Sequence, residues 1–193
     1  MGFEEIYKYT QRFEGGYANN PKDRGGETFR GISRKNWPGW PGWALIDQAK
    51  AQGARSAKLI NAAFAGDEGM AELVADFYRM NFWQPFEKLQ ASNRVHGKIF
   101  DTAVNVGVGA AVKMMQKAVN KMGPIKKLEV DGKIGPRTIE ALDFALEPNG
   151  AESRFLGLFC LQQEAHYRAI VARDSSQEEF MNGWLRRAAW LPE

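Results

Sequence analysis

Apolar residues recur at helical spacing along almost the whole of this 193-residue chain, a rhythm that leaves room for little besides helices packed on helices. Phe3, Ile6, Tyr7 and Thr10 mark one face of a first helix, which runs into Glu14-Gly15-Gly16, a strong stop. Further helices are expected over about 44–52, 55–64 and 68–82, the last opening at Asp67 and ending before Pro85. Val95, Ile99, Ala103 and Val106 share a face that breaks at Gly107-Val108-Gly109, and Val112, Met115 and Val119 mark the next. Gly135-Pro136 opens another helix, because proline suits a first turn. Phe155, Phe159, Gln162 and Ala169 lie on a long helix, and Phe180, Trp184 and Ala188 on a final one.

Two stretches interrupt this rhythm. From Tyr17 to Ile32 the residues are rich in Gly, Pro, Asn and Asp, which reads as a hairpin or an irregular loop. Asn36 to Trp43, NWPGWPGW, is a second loop; its Trp37, Trp40 and Trp43 suit either a sugar platform or a wedge over the core. The expected fold class is therefore mainly α, with a small β-hairpin next to the first helix. The region around 85–93 is the best boundary, which divides the chain into lobes 1–90 and 91–193. The two are expected to pack as one globular unit, and the protein to be a monomer.

Composition excludes several classes. A net charge of +3 is too mild for the dense basic stripe that nucleic acid requires, so no nucleic-acid partner is expected. No stretch approaches the ~20 apolar residues of a membrane span. One cysteine, Cys160, forbids an intramolecular disulfide, so the fold stands on packing alone. Met1 to Tyr7 is acidic and amphipathic, unlike a signal peptide, so synthesis in the cytoplasm is expected.

Glu14 carries the first chemical signal. At about 100° per residue, Phe3, Tyr7, Thr10 and Glu14 fall within roughly 60° of one another on the first helix. A carboxylate is thus set into an apolar face at the negative end of a helix. Both circumstances favour its protonated form, as a general acid requires. The competing reading is a polar residue at a helix end with its head group in water. Asp23 and Thr28 follow in the glycine-rich stretch, within reach of a hairpin that would set Asp23 opposite Glu14. Glycosidases need such a second polar group, although Asp before Arg-Gly-Gly is also a common turn former.

Only His96 and His166 are present, far apart and outside any His-Glu-x-x-His pattern, so a zinc peptidase is excluded and no metal or cofactor is expected. Cys160 and His166 are separated by nearly two helical turns, which reads as a buried, inert thiol.

The string Glu14-Gly15-Gly16-Tyr17, then Asn20-Pro21, Asp23, Gly25-Gly26-Glu27-Thr28 and Gly31-Ile32, resembles glycoside hydrolase family 108. The likeness continues through Phe100-Asp101, Asn105, Gly107 and Gly109, then Val130-Asp131-Gly132, Ile134-Gly135-Pro136 and Thr138. It ends in Phe180, Gly183-Trp184 and Arg186. That family comprises N-acetylmuramidases, found as phage endolysins and secretion activators, with a C-terminal peptidoglycan-binding-like region. The resemblance implies a lysozyme-like fold, bacterial peptidoglycan as partner, and action in the periplasm or cell envelope. It implies Glu14 as the catalytic acid and hydrolysis of the bond between N-acetylmuramic acid and N-acetylglucosamine. Phage-type lysozymes use a similar Glu, Asp and Thr set, so Asp23 and Thr28 join Glu14 as catalytic candidates. Arg30 departs from the pattern, which leads one to expect an apolar or aromatic residue before Gly31. Tyr17, Tyr78, Trp83, Asp101 and Asn105 are candidates for the substrate groove, each also readable as core or as a buried hydrogen bond. A wall-binding accessory without catalysis, and a lytic transglycosylase, remain alternatives at this stage.

Overall fold

The structure, a computed structural model, describes residues 2–11, 15–19 and 26–192. It divides into two compact units that meet in sequence between Asn81 and Phe82. The expected boundary lay slightly later. The chain changes allegiance earlier because Phe82 and Phe86 already pack into the second unit's core.

The first unit opens with α1 (Phe3–Thr10), whose buried face is Phe3, Ile6 and Thr10, the spacing read from sequence. A three-stranded antiparallel sheet follows in the order β1 (Tyr17–Asn19), β2 (Glu27–Phe29) and β3 (Ile32–Ser33). Helices α2 (Gly42–Ala51), α3 (Ala57–Ala63) and α4 (Glu68–Tyr78) complete it. The α4 start is set locally: the Asp67 carboxylate accepts a hydrogen bond from Met70 N at 2.7 Å. Beyond Tyr78 the chain passes through one π-helical turn, Arg79–Trp83, and a 3-10 turn, Gln84–Phe86, where Pro85 ends the helical run.

The second unit contains α5 (Asn93–Val106), α6 (Val108–Met122), α7 (Pro136–Leu146), α8 (Ala151–Arg173) and α9 (Met181–Ala189). Its core draws Val95, Ile99 and Ala103 from α5, and Val112, Met115 and Val119 from α6. Phe155 and Phe159 of α8 close it. The break between α5 and α6 falls at Gly107, in the left-handed region at φ 86°, as the sequence indicated.

From Val95 to Ala103 every residue of α5 is buried, the polar ones included. Polar groups buried without partners cost free energy, so their partners decide how this helix sits. Lys98 is fully buried, and its ammonium donates to Arg187 O at 3.1 Å, Ala188 O at 2.8 Å and Trp190 O at 2.9 Å. Three donors thus meet three carbonyls at the C-terminal end of α9, where the helix dipole also favours a cation. Burial pulls the Lys98 ammonium below its ordinary value, with the thiol of Cys160 and the carboxylate of Asp101 acting against that. Next to it, Asp101 receives Arg187 through Nε at 3.1 Å and Nη2 at 3.0 Å, a two-pronged pair inside the protein. Lys98→Met keeps the stem of the side chain but strands the three carbonyls. It is expected to lower the unfolding free energy by about 3 kcal/mol, measured by urea denaturation at neutral pH. A loss below about 1 kcal/mol would show that water satisfies those carbonyls instead.

Candidate active site

The sheet of the first unit is built around two short reversals. Tyr17 pairs with Phe29, and Asn19 with Glu27. Between β2 and β3 the two-residue turn Arg30-Gly31 has φ of 44° and 81°, the twin left-handed conformation of a type I′ turn. Arg30 therefore carries mild backbone strain, and its main chain is held at both ends. Its N–H donates to Gly16 O at 3.1 Å, and its carbonyl accepts from the Tyr78 hydroxyl at 2.8 Å. The departure at Arg30 noted in the sequence is thus a turn position joined to β1 and to the end of α4.

A Cβ at Gly16 would collide with the amide end of the Asn61 side chain in α3, which would then have to move. That amide accepts from Tyr17 N at 2.7 Å. The second glycine of the Glu-Gly-Gly-Tyr string is thus fixed by close approach, and α3 clamps the start of β1. Alternation along β2 puts Glu27 and Phe29 on one face and Thr28 on the other. Phe29 is buried against Trp40 and Phe64, while Thr28 is partly exposed and pairs with Ala18 and Ser33.

Glu27, part of the Gly25-Gly26-Glu27-Thr28 string but not among the site candidates, is the hub of this region. Its Oε1 accepts from the Tyr17 hydroxyl at 3.0 Å and from the Lys50 ammonium of α2. Its Oε2 lies 3.1 Å from Arg34 Nε, an ion-pair distance at which the N–H points away from a hydrogen bond. Arg34 spends its other nitrogens on Asp47, at 3.1 and 2.7 Å, and lies over the Trp43 ring. The Asp47 bond raises the Arg34 guanidinium, and the same bond lowers the Asp47 carboxyl. Burial lowers the Lys50 ammonium, but its bonds to Glu27 and Tyr17 prevail and raise it overall. Burial and the Glu27 bond together push the Tyr17 phenol up. The signal for this cluster was present as strand alternation: Glu27 shares a face with Phe29, and a carboxylate on such a face calls for cations.

The remaining candidates separate between the units. Glu14 and Asp23 lie outside the described residues. Tyr78 is buried, its ring against Tyr7 and Phe77. In the second unit Trp83 stacks on His96 with ring centres 3.9 Å apart. Asp101 has no exposed surface and is occupied by Arg187. Asn105 Oδ1 accepts from the Tyr167 hydroxyl at 2.6 Å, which itself accepts from Gln163 at 2.8 Å. The last two therefore serve as ties from α5 to α9 and α8. The tryptophan loop divides its roles. Trp40 and Trp43 are buried and donate to Leu73 O and Trp37 O. Trp37, 38 % exposed, borders a cavity of about 440 Å³ beside Phe77 and Met80. Among the described residues no group of His, Cys, Asp and Glu could hold a metal ion, and no helix is long and apolar enough to cross a membrane.

Comparison with known proteins decides the class. The family model described as glycosyl hydrolase 108 matches residues 7–107. The chain belongs to this family. A second model, described as a predicted peptidoglycan domain, matches residues 110–189. A solved structure titled "Structure of Brucella abortus SagA" is 26% identical, with a TM-score of 0.62, over 97% of this chain and 89% of that one. No curated protein matches the sequence. The mainly helical, lysozyme-like fold with its small sheet agrees with the expectation from sequence, and this glycosyl hydrolase 108 member is a peptidoglycan hydrolase of the lysozyme type.

Two outcomes test the described geometry. A double-mutant cycle of Glu27→Gln and Lys50→Met is expected to show a coupling of about 1 kcal/mol in thermal or urea unfolding, modest because both side chains are partly exposed. Coupling near zero would leave the Glu27 cluster without an energetic role. His96 gives a pH signature. Burial holds its imidazole down at about 4, and its Nε2 has no hydrogen-bond partner among the described residues. Because the folded value is depressed, the unfolded chain takes up the proton first as pH falls. Stability attributable to His96 is thus complete above about 6.5 and is lost between there and about 4. His96→Phe keeps a ring under Trp83 and should flatten the stability profile in that window. An unchanged slope would contradict the assignment.

Proposed function

We propose that this family 108 member is an N-acetylmuramidase of the endolysin type. It hydrolyses the β-1,4 bond between N-acetylmuramic acid and N-acetylglucosamine, with Glu14 as general acid. The observation that carries this reading is the Glu14-Gly15-Gly16-Tyr17 string inside the segment matched by the glycosidase family. The chain on either side of Glu14 is held: Thr10, at the end of α1, is buried, and Gly16-Tyr17 is clamped by Asn61. The leaving sugar oxygen takes the proton of Glu14 as the glycosidic bond breaks, and a water adds to the sugar carbon and passes its proton to the Asp23 carboxylate. Asp23 and Thr28 are assigned to that water. Thr28 is partly exposed on the face of β2 opposite Glu27 and Phe29, in keeping with such a role. Tyr17, paired with Phe29 and bonded to Glu27, holds the opposite face of the same strands in place. The protein acts as a bacteriolytic enzyme on the wall, in the periplasm or cell envelope.

Glu14→Gln preserves shape and removes the transferable proton. Turnover of purified sacculi is expected to fall by roughly 10²–10⁴-fold while the melting temperature at pH 7 stays at or above that of the unsubstituted protein. A folded variant with ordinary turnover would rule out Glu14 as the acid.

A further inference from the structure

The second unit carries a groove of about 520 Å³ between the loop 123–135 and α7. This loop has no regular secondary structure, yet side chains of α6 hold it on both sides. The Asn120 amide donates to Leu128 O at 2.8 Å and accepts from Leu128 N at 2.7 Å. The Gln116 amide donates to Asp131 Oδ1 at 2.8 Å and accepts from Gly132 N at 3.0 Å. Asp131 in turn receives Lys133 N at 2.9 Å, and these bonds lower its carboxyl, the Gln116 bond most. Gly132 sits at φ 79° with Gly109 O so close that a Cβ would clash. The Val130-Asp131-Gly132 motif is therefore a device that fixes the loop, and the groove is formed before any ligand arrives.

The rim of that groove is unusual in what it leaves unused. Ile125 is 100% exposed and Phe144 57% exposed, apolar surface that nothing in the unit covers. The side chains of Lys126, Lys127 and Arg137 make no hydrogen bond or ion pair among the described residues, and neither do those of Glu129 and Glu140. Unspent charges of both signs beside apolar surface suit a ligand with carboxylates, an amine and small apolar side chains. A neutral sugar chain would leave all five charges without partners.

We propose that this groove binds the peptide stem of peptidoglycan, a short peptide that alternates alanine methyls with the carboxylates of a γ-linked glutamate and a diamino acid. Lys126, Lys127 and Arg137 take the carboxylates, Glu140 or Glu129 the free ammonium, and Ile125 and Phe144 the alanine methyls. The proposal rests on the reading of peptidoglycan as substrate and adds which part of that polymer this unit grips. It thereby divides the labour: the first unit meets the glycan and the second meets the peptide.

The test is titration of the isotope-labelled full chain, followed by amide NMR, with two separate probes. One is the tripeptide L-alanyl-γ-D-glutamyl-meso-diaminopimelate; the other is glycan strand stripped of its peptides by an amidase, which keeps one lactyl carboxylate per disaccharide and so also controls for charge alone. The tripeptide should move resonances of residues 125–144, and Lys127→Ala with Arg137→Ala should weaken its binding about tenfold. Both substitutions are at exposed positions and should leave the remaining spectrum in place. The proposal fails if the tripeptide leaves the groove unmoved, if the double variant binds it as well, or if stripped glycan is what moves those residues. Reducing-end release from sacculi by the unsubstituted protein is measured alongside. Tripeptide binding without release would sink the hydrolase reading and leave the groove assignment standing.

Discussion

Strands of two or three residues cannot hold a sheet in water, because each contributes too few ladder bonds to offset the ordering of its chain. The sheet of the first unit depends instead on one carboxylate. Glu27 draws a hydroxyl from β1, an ammonium from α2 and a guanidinium from the segment after β3. These donors come from three places along the chain, so the carboxylate ties the sheet to α2 as well as to itself. The Asn61 amide performs the same service from α3 at the start of β1. A glycosidase needs its reacting groups held to fractions of an ångström, and here polar anchors supply what so small a sheet cannot.

The second unit repeats the device with a helix. The α5 segment is buried along nine consecutive residues, and its Lys98 and Asp101 bind the end of α9 through its carbonyls and through Arg187. This grip bears on how the chain should be divided. The glycosidase family model runs through residue 107, yet α5 packs with α6 and α8 in the unit that begins at Phe82. The segment 82–107 is thus shared between the family's catalytic region and the structural unit that carries the peptidoglycan domain. Substitutions in α5 are therefore expected to register in stability before chemistry.

Local signals were legible in the sequence, and long-range ones were not. Asp67 as a cap, Gly107 as a break and Gly135-Pro136 as a start all depend on residues within a turn of the event, and each marks a helix boundary in the structure. The first helix face was legible because periodicity is a local property. The partner of Asp101 lies 86 residues away, and that of Asn105 lies 62 away. Nothing in the local pattern distinguishes a buried tie from a substrate contact, so both residues fit a groove as well as a core. Strand alternation marks Glu27 as a carboxylate in need of cations but not which ones, since Lys50 stands 23 residues off on another element. The family resemblance depended on ordered motifs, which short spacing does preserve, and it reached the right family while the roles of single residues stayed open.

The chemistry is tested most directly by where solvent oxygen goes. Sacculi digested by the full chain in ¹⁸O-labelled water, and resolved by mass spectrometry, report both the bond cut and the attacking group. A muramidase of this account releases muropeptides whose N-acetylmuramic acid carries one ¹⁸O at its reducing end. Label on N-acetylglucosamine, anhydro-muramyl ends without label, or no release of fragments would each contradict it.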